Sequence, residues 1–507
     1  MCERLSGLED DTDLSTVLPA TDLDGQELSE GETGTRMERQ NVPRVFFDLS
    51  TSFAWRGHTA VGIVRTEREL FRHLIGRADL CVIPVLYHDD DFRALAADAA
   101  LALVTPETNP HPQSQAGAPP GSPAATGVER AFLVAMLRPL LGLVRRVAHR
   151  LVVALPPTAR GDARLAMVHA RRAFREVAYR RRGATGGVAM PPGTPDLSLV
   201  VYPTATDVLF LAGLNWDVVN WSRIAALRSR TGLRVVSVMY DLIPMKFPEF
   251  LPAPQHGYHN CFLHMIDNSD LILCISASTQ ADLATFVAAS GRKPIATEVI
   301  HLGADVPAVP DPAEISVPAV RARLARGRFA LAVGTLEIRK NYALLVDLWA
   351  ELMADPAFDL DLVIVGRPGW EADEVIRRLR ALPGFGTRVL WFQQLSDAGL
   401  SWLYMQCHLV VFPSIYEGWG LPVVEALQHG RPVIASSRGA TPEAGFGIAT
   451  IIDPEDRAGW RTALLAEART PRRTVTPAAG TLPTWERSAA MIAHRLSRLA
   501  EGAPVTS

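Results

Sequence analysis

Residues 409–427 read Leu409-Val410-Val411-Phe412-Pro413-Ser414-Ile415-Tyr416-Glu417-Gly418-Trp419-Gly420-Leu421-Pro422-Val423-Val424-Glu425-Ala426-Leu427: a strand, a loop and a helix in succession. Four apolar residues without a polar break suit a strand buried on both faces. Gly418 and Gly420 let the backbone approach a ligand closely. Pro422 suits the first helical turn, where its missing N–H costs nothing. The N–H groups around Gly420 and Leu421 then point out of a helix N-terminus, which draws a phosphate or a sugar oxygen. Glu417 sits in the loop and Glu425 about one turn inside the helix, so the two carboxylates bracket the helix start. Carboxylates accept hydrogen bonds from hydroxyls and repel phosphate, so they suit a sugar and a ribose. The plainer reading, a solvated helix with two surface glutamates, is disfavoured by the glycines, Pro422 and the apolar strand ahead of them.

The same alternation extends outward in both directions. Strand-like runs at 329–333, 362–365, 389–392 and 432–435 flank this stretch, separated by helix-like segments. An earlier series comprises 44–48, 81–87, 197–201, 208–211, 235–239 and 271–275, and 299–303 closes it; Val64, Leu70, Phe71 and Leu74 mark one apolar helix face. Pro307, Pro310, Pro312 and Pro318 separate the two series. Two successive βαβα series predict an α/β protein of two doubly wound parallel-sheet domains. In such sheets ligands sit beyond the carboxyl ends of the strands, so the expected site is the cleft between the domains. The boundaries read as 41–309 and 310–484. A helix at 485–499, within a final segment 485–507, is expected to pack back on the first domain.

Composition bounds the rest. At 507 residues the chain has room for two to four domains, and 48% hydrophobic with 21% charged residues excludes global disorder. A net charge of −3 offers no basic field to nucleic acid. No run of about 18 uncharged apolar residues suggests a spanning helix. Met1-Cys2-Glu3-Arg4 opens a segment, 1–40, with eleven acidic and three basic residues, which reads as a disordered acidic tail and not as a secretory signal. Cys2, Cys81, Cys261, Cys274 and Cys407 are scattered without metal spacing, which points to idle thiols in a reducing cytoplasm and to no metal site. Residues 105–195 interrupt the first series: 105–127 are rich in Pro, Ser and Gly, and 128–182 carry thirteen arginines against three acids. That arginine-rich block has two readings, peripheral contact with anionic lipid headgroups and a helical insertion packed on its own domain.

A second chemical signal follows the strand at 329–333: Gly334-Thr335-Leu336-Glu337-Ile338-Arg339-Lys340-Asn341-Tyr342. Arg339 and Lys340 fall where a loop meets a helix, and two cations at the positive end of a helix dipole call for an anion. A diphosphate would supply it. Lys340 is one of only three lysines, with Lys246 and Lys293, in a chain that otherwise uses arginine. In the first half, Gly62-Ile63-Val64-Arg65 follows Asp48 and the first strand, and Tyr240-Asp241-Leu242-Ile243-Pro244 ends another. Asp241 is read either as a polar cleft residue or as a cap. His58 and His301 near strand ends, Trp216, and the hydroxyls of Ser276 and Ser278 are further candidates, with core or capping roles as their plain alternatives.

EGWGLPVVEAL (417–427) and GTLEIRKN (334–341) together resemble the retaining group 1 glycosyltransferases, glycosyltransferase family 4, and within them the mannosyltransferase-like enzymes of bacterial polysaccharide and O-antigen assembly. The resemblance is clear over 329–456 and looser from about residue 45. It implies a GT-B fold, a nucleotide diphosphate sugar held mainly by the second domain as substrate, no cofactor and no metal. It further implies a glycan or lipid-linked saccharide acceptor. By the motif match, Glu417 would meet the donor sugar and Glu425 the ribose. Arg339 and Lys340 would clamp the diphosphate as charge develops on it, with Asp241 available in the cleft. Gly334, Gly418, Trp419, Gly420, Leu421 and, from the first half, Gly62 would complete the donor site. The segment 240–244 departs from the family, which usually has histidine where Tyr240 stands. A nucleotide-sugar epimerase or phosphorylase on the same architecture, and a nucleotide-sugar-binding subunit without turnover, are the alternatives. A dinucleotide dehydrogenase is disfavoured because no GxGxxG opens either half.

Overall fold

The computed structural model describes residues 42–56, 62–88, 91–105, 197–214, 218–250, 256–305, 309–369 and 371–502. The acidic tail, the insertion from residue 106 onward, His58 and Trp216 lie outside the described residues. Unbroken apolar runs dictate the architecture. Val208–Leu211, Leu271–Cys274, Asp361–Val365 and Leu409–Phe412 are buried along their whole length. Such strands must be covered on both faces, and βαβ crossovers supply the cover.

The first sheet has seven strands: β1 (Arg44–Asp48), β2 (Cys81–His88), β3 (Asp91–Ala94), β4 (Val208–Leu211), β5 (Arg234–Met239), β6 (Leu271–Cys274) and β7 (Thr297–Val299). Their order is β3-β2-β1-β4-β5-β6-β7. All neighbours are parallel except β2 and β3, a tight antiparallel pair in which His88 faces Asp91. The second sheet has six parallel strands, β8 (Phe329–Val333), β9 (Asp361–Val365), β10 (Val389–Phe392), β11 (Leu409–Phe412), β12 (Val433–Ser436) and β13 (Thr450–Ile452), in the order β10-β9-β8-β11-β12-β13. These are two doubly wound parallel α/β sheets, the GT-B arrangement. In each the strand order reverses beside the first strand, at β1/β4 and at β8/β11, and crevices open at such switch points.

Three expectations need correction. Residues 197–201 form no strand: Val200 makes one antiparallel bridge to Arg93, and Pro203 follows at once. A proline cannot extend a ladder, and the edge it would join is already the short β3. Residues 300–303 lie beyond β7, which ends at Val299. The antiparallel β3 was not expected, since Asp91-Phe92-Arg93-Ala94 offers one large apolar side chain.

Helix α1 (Ile63–Leu74) covers β1 with Leu70, Phe71 and Leu74 and begins at Gly62, whose φ is 54°. After β5 come α2 (Ile243–Lys246) and, after β6, α3 (Ala277–Ala289), capped by Ser276, whose side chain accepts from the Thr279 N–H. After β11 comes α4 (Leu421–Gln428), and after β12 the short α5 (Thr441–Ala444). The chain then returns: α6 (Trp485–Ala500), capped by Thr484, packs on α1. The Trp485 N–H donates to Asp305 at 2.7 Å, and Ser488 Oγ donates to the His301 carbonyl at 2.7 Å. One apolar core runs from Phe47, Phe71 and Phe210 in the first half to Phe329 and Phe412 in the second, and takes in Trp485 and Leu496. Separate clusters cover the outer faces, around Phe262 and Ile272 on one sheet and Trp349 and Trp460 on the other.

Candidate functional site

A cluster of part-buried charges lies at the β8/β11 switch point. Beyond β8, the Tyr342 hydroxyl donates to the Gly334 carbonyl at 2.8 Å and holds the strand exit in place. A 3-10 turn, Ile338–Lys340, follows, and Asn341 adopts a left-handed φ of 54° before the next helix. Arg339 and Lys340 therefore stand directly ahead of that helix. The loop after β11 folds against this turn. The Ile415 N–H donates to the Arg339 carbonyl at 2.8 Å, and the Arg339 guanidinium donates to the Tyr416 carbonyl at 3.0 Å.

Glu417 is forked between the two cations. Its Oε2 lies 2.6 Å from Arg339 and its Oε1 2.6 Å from Lys340. Arg339 also pairs with Glu337 at 2.6 Å, and the Lys340 ammonium sits 4.9 Å from the Phe412 ring. Burial alone would raise the Glu417 carboxyl, but Arg339 and Lys340 outweigh it and hold the carboxyl at about 2. Burial, aided by Arg339, lowers the Lys340 ammonium against the pull of Glu417. Arg339 is raised: its burial is overcome by Glu417, Glu337 and Asp241. The spacing points to a diphosphate as the anion that balances Arg339 and Lys340; in the structure the Glu417 and Glu337 carboxylates already balance them. A diphosphate entering here must compete with Glu417 for the same two cations.

The first half presses on this loop at Gly418. A Cβ built there would meet the Tyr240 carbonyl oxygen at 2.0 Å and the Asp241 Cβ at 2.9 Å, so only glycine permits the approach. Asp241 accepts from the Ile243 N–H at 3.0 Å, in a turn that leads into α2. Burial raises its carboxyl, and Arg339 opposes the rise. The carboxyl thus serves the backbone ahead of α2 and also feels Arg339 of the second half. Gly420, with φ 131°, supplies the kink from which α4 starts. Trp419 is buried: its ring stacks on His301 at 4.8 Å between centroids and 12° between planes, and its indole N–H finds no acceptor. His301 in turn meets Glu443 at 2.6 Å.

Glu425 lies elsewhere. Arg65 of α1 pairs with its Oε1 at 2.7 Å, and the Tyr404 hydroxyl donates to its Oε2 at 2.7 Å. Glu425 is 3% exposed. Both oxygens are engaged, so a ribose reaching Glu425 would compete with Arg65 and Tyr404. Gly62, three residues before Arg65, has open space where a Cβ would stand. The structure thus brings together Arg339, Lys340, Glu417, Asp241, Gly334 and Gly418, with Trp419, Gly420 and Leu421 on the same loop, and sets Glu425 and Gly62 apart beside Arg65. Sequence reasoning missed Tyr404 and Glu443 altogether and left Glu337 unassigned inside its motif. It left Tyr416 unassigned inside the motif, and Lys246 carried only the signal of its rarity. Among the described residues, no group of three or more His, Cys, Asp or Glu side chains is placed to hold a metal ion. No described helix is long and apolar enough to cross a membrane.

Residues 320–445, which carry β8 through α5 and both halves of this charged cluster, match the model of the glycosyl transferases group 1 family. The chain is 32% identical over 209 residues to the serotype-specific mannosyltransferase WbdA of Escherichia coli, covering 39% of this chain and 25% of that protein. It is 30% identical over 227 residues to O-antigen chain mannosyltransferase B of Escherichia coli, covering 44% and 58%. The chain therefore spans a quarter of the first relative and just over half of the second. Among solved structures, a sucrose-phosphate synthase from Thermosynechococcus elongatus aligns with a TM-score of 0.44 at 21% identity, covering 59% of this chain and 74% of that one.

Proposed function

We propose that this chain is a retaining hexosyltransferase, moving a mannosyl unit from a nucleotide diphosphate sugar to a glycan or lipid-linked saccharide in polysaccharide assembly. The observation that supports it is the Arg339–Glu417–Lys340 fork at the second switch point, closed over by Asp241 and Tyr240. The group 1 match supports sugar transfer, and the mannosyltransferase relatives support mannose as the sugar. In this reading the donor diphosphate takes Arg339 and Lys340 from Glu417. The freed carboxylate then accepts from donor-sugar hydroxyls, and Glu425 takes the ribose after releasing Arg65.

The bond from the sugar's anomeric carbon to the diphosphate oxygen breaks, and the electron pair stays on phosphate. Arg339, Lys340 and the N-terminus of α4 stabilise that charge, the contribution that usually dominates such catalysis. The acceptor hydroxyl attacks on the face the diphosphate leaves, and its proton passes to the departing oxygen, so no protein base and no metal are invoked. Contact between the halves excludes water and limits donor hydrolysis. The reading places the enzyme in the cytoplasm and keeps both alternatives for residues 128–182, peripheral membrane contact and an insertion packed on its own domain.

The test is nucleotide binding followed by turnover. Guanosine and uridine diphosphates and their sugars are screened by thermal shift, since a ligand of the native state raises apparent stability. Lys340→Ala is then expected to lower transfer by about 10²–10³, the usual loss of one stabilising donor. No shift with any nucleotide, or wild-type turnover by Lys340→Ala, overturns the assignment.

A further inference from the structure

Tyr416 has no part in the chemistry above, yet it is the most heavily engaged side chain of the loop. Its carbonyl accepts from Arg339. Its side chain reaches the other way, into the first half. The hydroxyl donates to Asp282 Oδ2 at 2.6 Å, accepts from Lys246 Nζ at 2.8 Å and lies 3.2 Å from Ser278 Oγ. Lys246 and Asp282 also pair directly at 2.6 Å. The ring packs 5.0 Å from Phe247 and lies 4.4 Å from the Lys246 ammonium. Burial and the bond to Asp282 raise the phenol, so it stays a neutral donor at working pH.

These partners are spread over two elements of the first half. Lys246 ends α2, and Ser278 and Asp282 stand one turn apart on α3. The start of α3 grips the same region again: the Thr279 hydroxyl lies 3.2 Å from the Gly418 carbonyl and 3.3 Å from the Tyr240 carbonyl, and the Ala277 N–H donates to Glu443 at 3.0 Å. The residue adjoining Glu417 is thus fixed on one side to Arg339 and on the other to the first half. Parting the halves pulls on Tyr416, and through its main chain on Arg339 and Glu417.

We propose that Tyr416 is a positioning residue: its hydroxyl couples engagement of the first half to the placement of Arg339 and Glu417. The proposal rests on the transferase reading for its kinetic consequence but not for its structural one. Breaking the clasp leaves nucleoside diphosphate binding in place, slows transfer, and raises the share of donor lost to hydrolysis.

Tyr416→Phe tests it, since the ring keeps its packing on Phe247. The expected result is a fall in kcat of about tenfold, a donor KM within about threefold of wild type, and an unchanged thermal shift with nucleoside diphosphate. Asp282→Asn should act alike, and the double variant should be no worse than the poorer single one, because both cut one network. Hydrogen–deuterium exchange gives a readout independent of turnover: Tyr416→Phe should speed exchange in 413–420 and in 336–341, where the Ile415–Arg339 bond lies. Wild-type kcat, additive effects in the double variant, or unchanged exchange in 336–341 overturns the coupling. If the wild type neither binds nucleotide nor transfers sugar, the transferase reading fails and the exchange result alone decides the coupling.

Discussion

Replacing Glu417 by glutamine should tighten the binding of a bare nucleoside diphosphate while abolishing most transfer. The Glu417 carboxyl sits at about 2 against an ordinary 4.5 because Arg339 and Lys340 hold it. At about 1.4 kcal/mol per pKa unit, that difference is about 3 kcal/mol of attraction. A diphosphate must break into this attraction to reach the cations. If half is returned to the ligand when the carboxylate is gone, about 1.5 kcal/mol, the dissociation constant falls roughly tenfold. The same change costs the free protein about 3 kcal/mol of stability, since it leaves the part-buried Lys340 without a carboxylate. The sign with pH follows. The folded-state value is below the unfolded one, so wild type holds the full contribution above about pH 4.5 and loses it as pH falls towards 2. The Gln variant lacks it throughout, and the two stabilities converge in acid. Isothermal titration with nucleoside diphosphate and urea unfolding at neutral and acid pH read both effects. Weaker diphosphate binding by Glu417→Gln would refute the competition, and equal stability at neutral pH would refute the fork itself.

Two further outcomes follow from contacts between the halves. Arg65→Met should destabilise the chain by about 3–5 kcal/mol in urea unfolding, because it strands the buried Glu425 carboxylate; pairing it with Glu425→Gln should restore part of the loss, and simple additivity would count against the pair. Gly418→Ala places a Cβ 2.0 Å from the Tyr240 carbonyl oxygen, so it should lower stability by about 1–3 kcal/mol and depress transfer, measured as Tm and kcat. Wild-type values for both would mean that the halves do not meet there.

The strands were legible because their physics is local. Phe329-Ala330-Leu331-Ala332-Val333 and Leu409-Val410-Val411-Phe412 are apolar throughout, which suits a short strand covered on both faces. The meeting of Arg339, Lys340 and Glu417 was half legible: each loop announced a ligand site, but nothing in the spacing showed that the carboxylate itself neutralises the cations. The Arg65–Glu425 pair joins residues 360 apart, and the Tyr416 clasp draws on α2 and α3 from the other half. Such contacts depend on how two sheets are set against each other, which no local periodicity encodes. The failed strand at 197–201 has the opposite cause, a plausible local pattern denied a full-length neighbour.

The chain passes between the halves twice, once after Asp305 and again on the way back to Trp485, and these two passages are stitched together by the bond from the Trp485 N–H to the Asp305 carboxylate. Two adjacent tethers behave as a pinned axle. Any swivel of one half against the other is expected to turn about that line. In the transferase reading, an opening for donor entry is expected to be widest at the rim far from this bond.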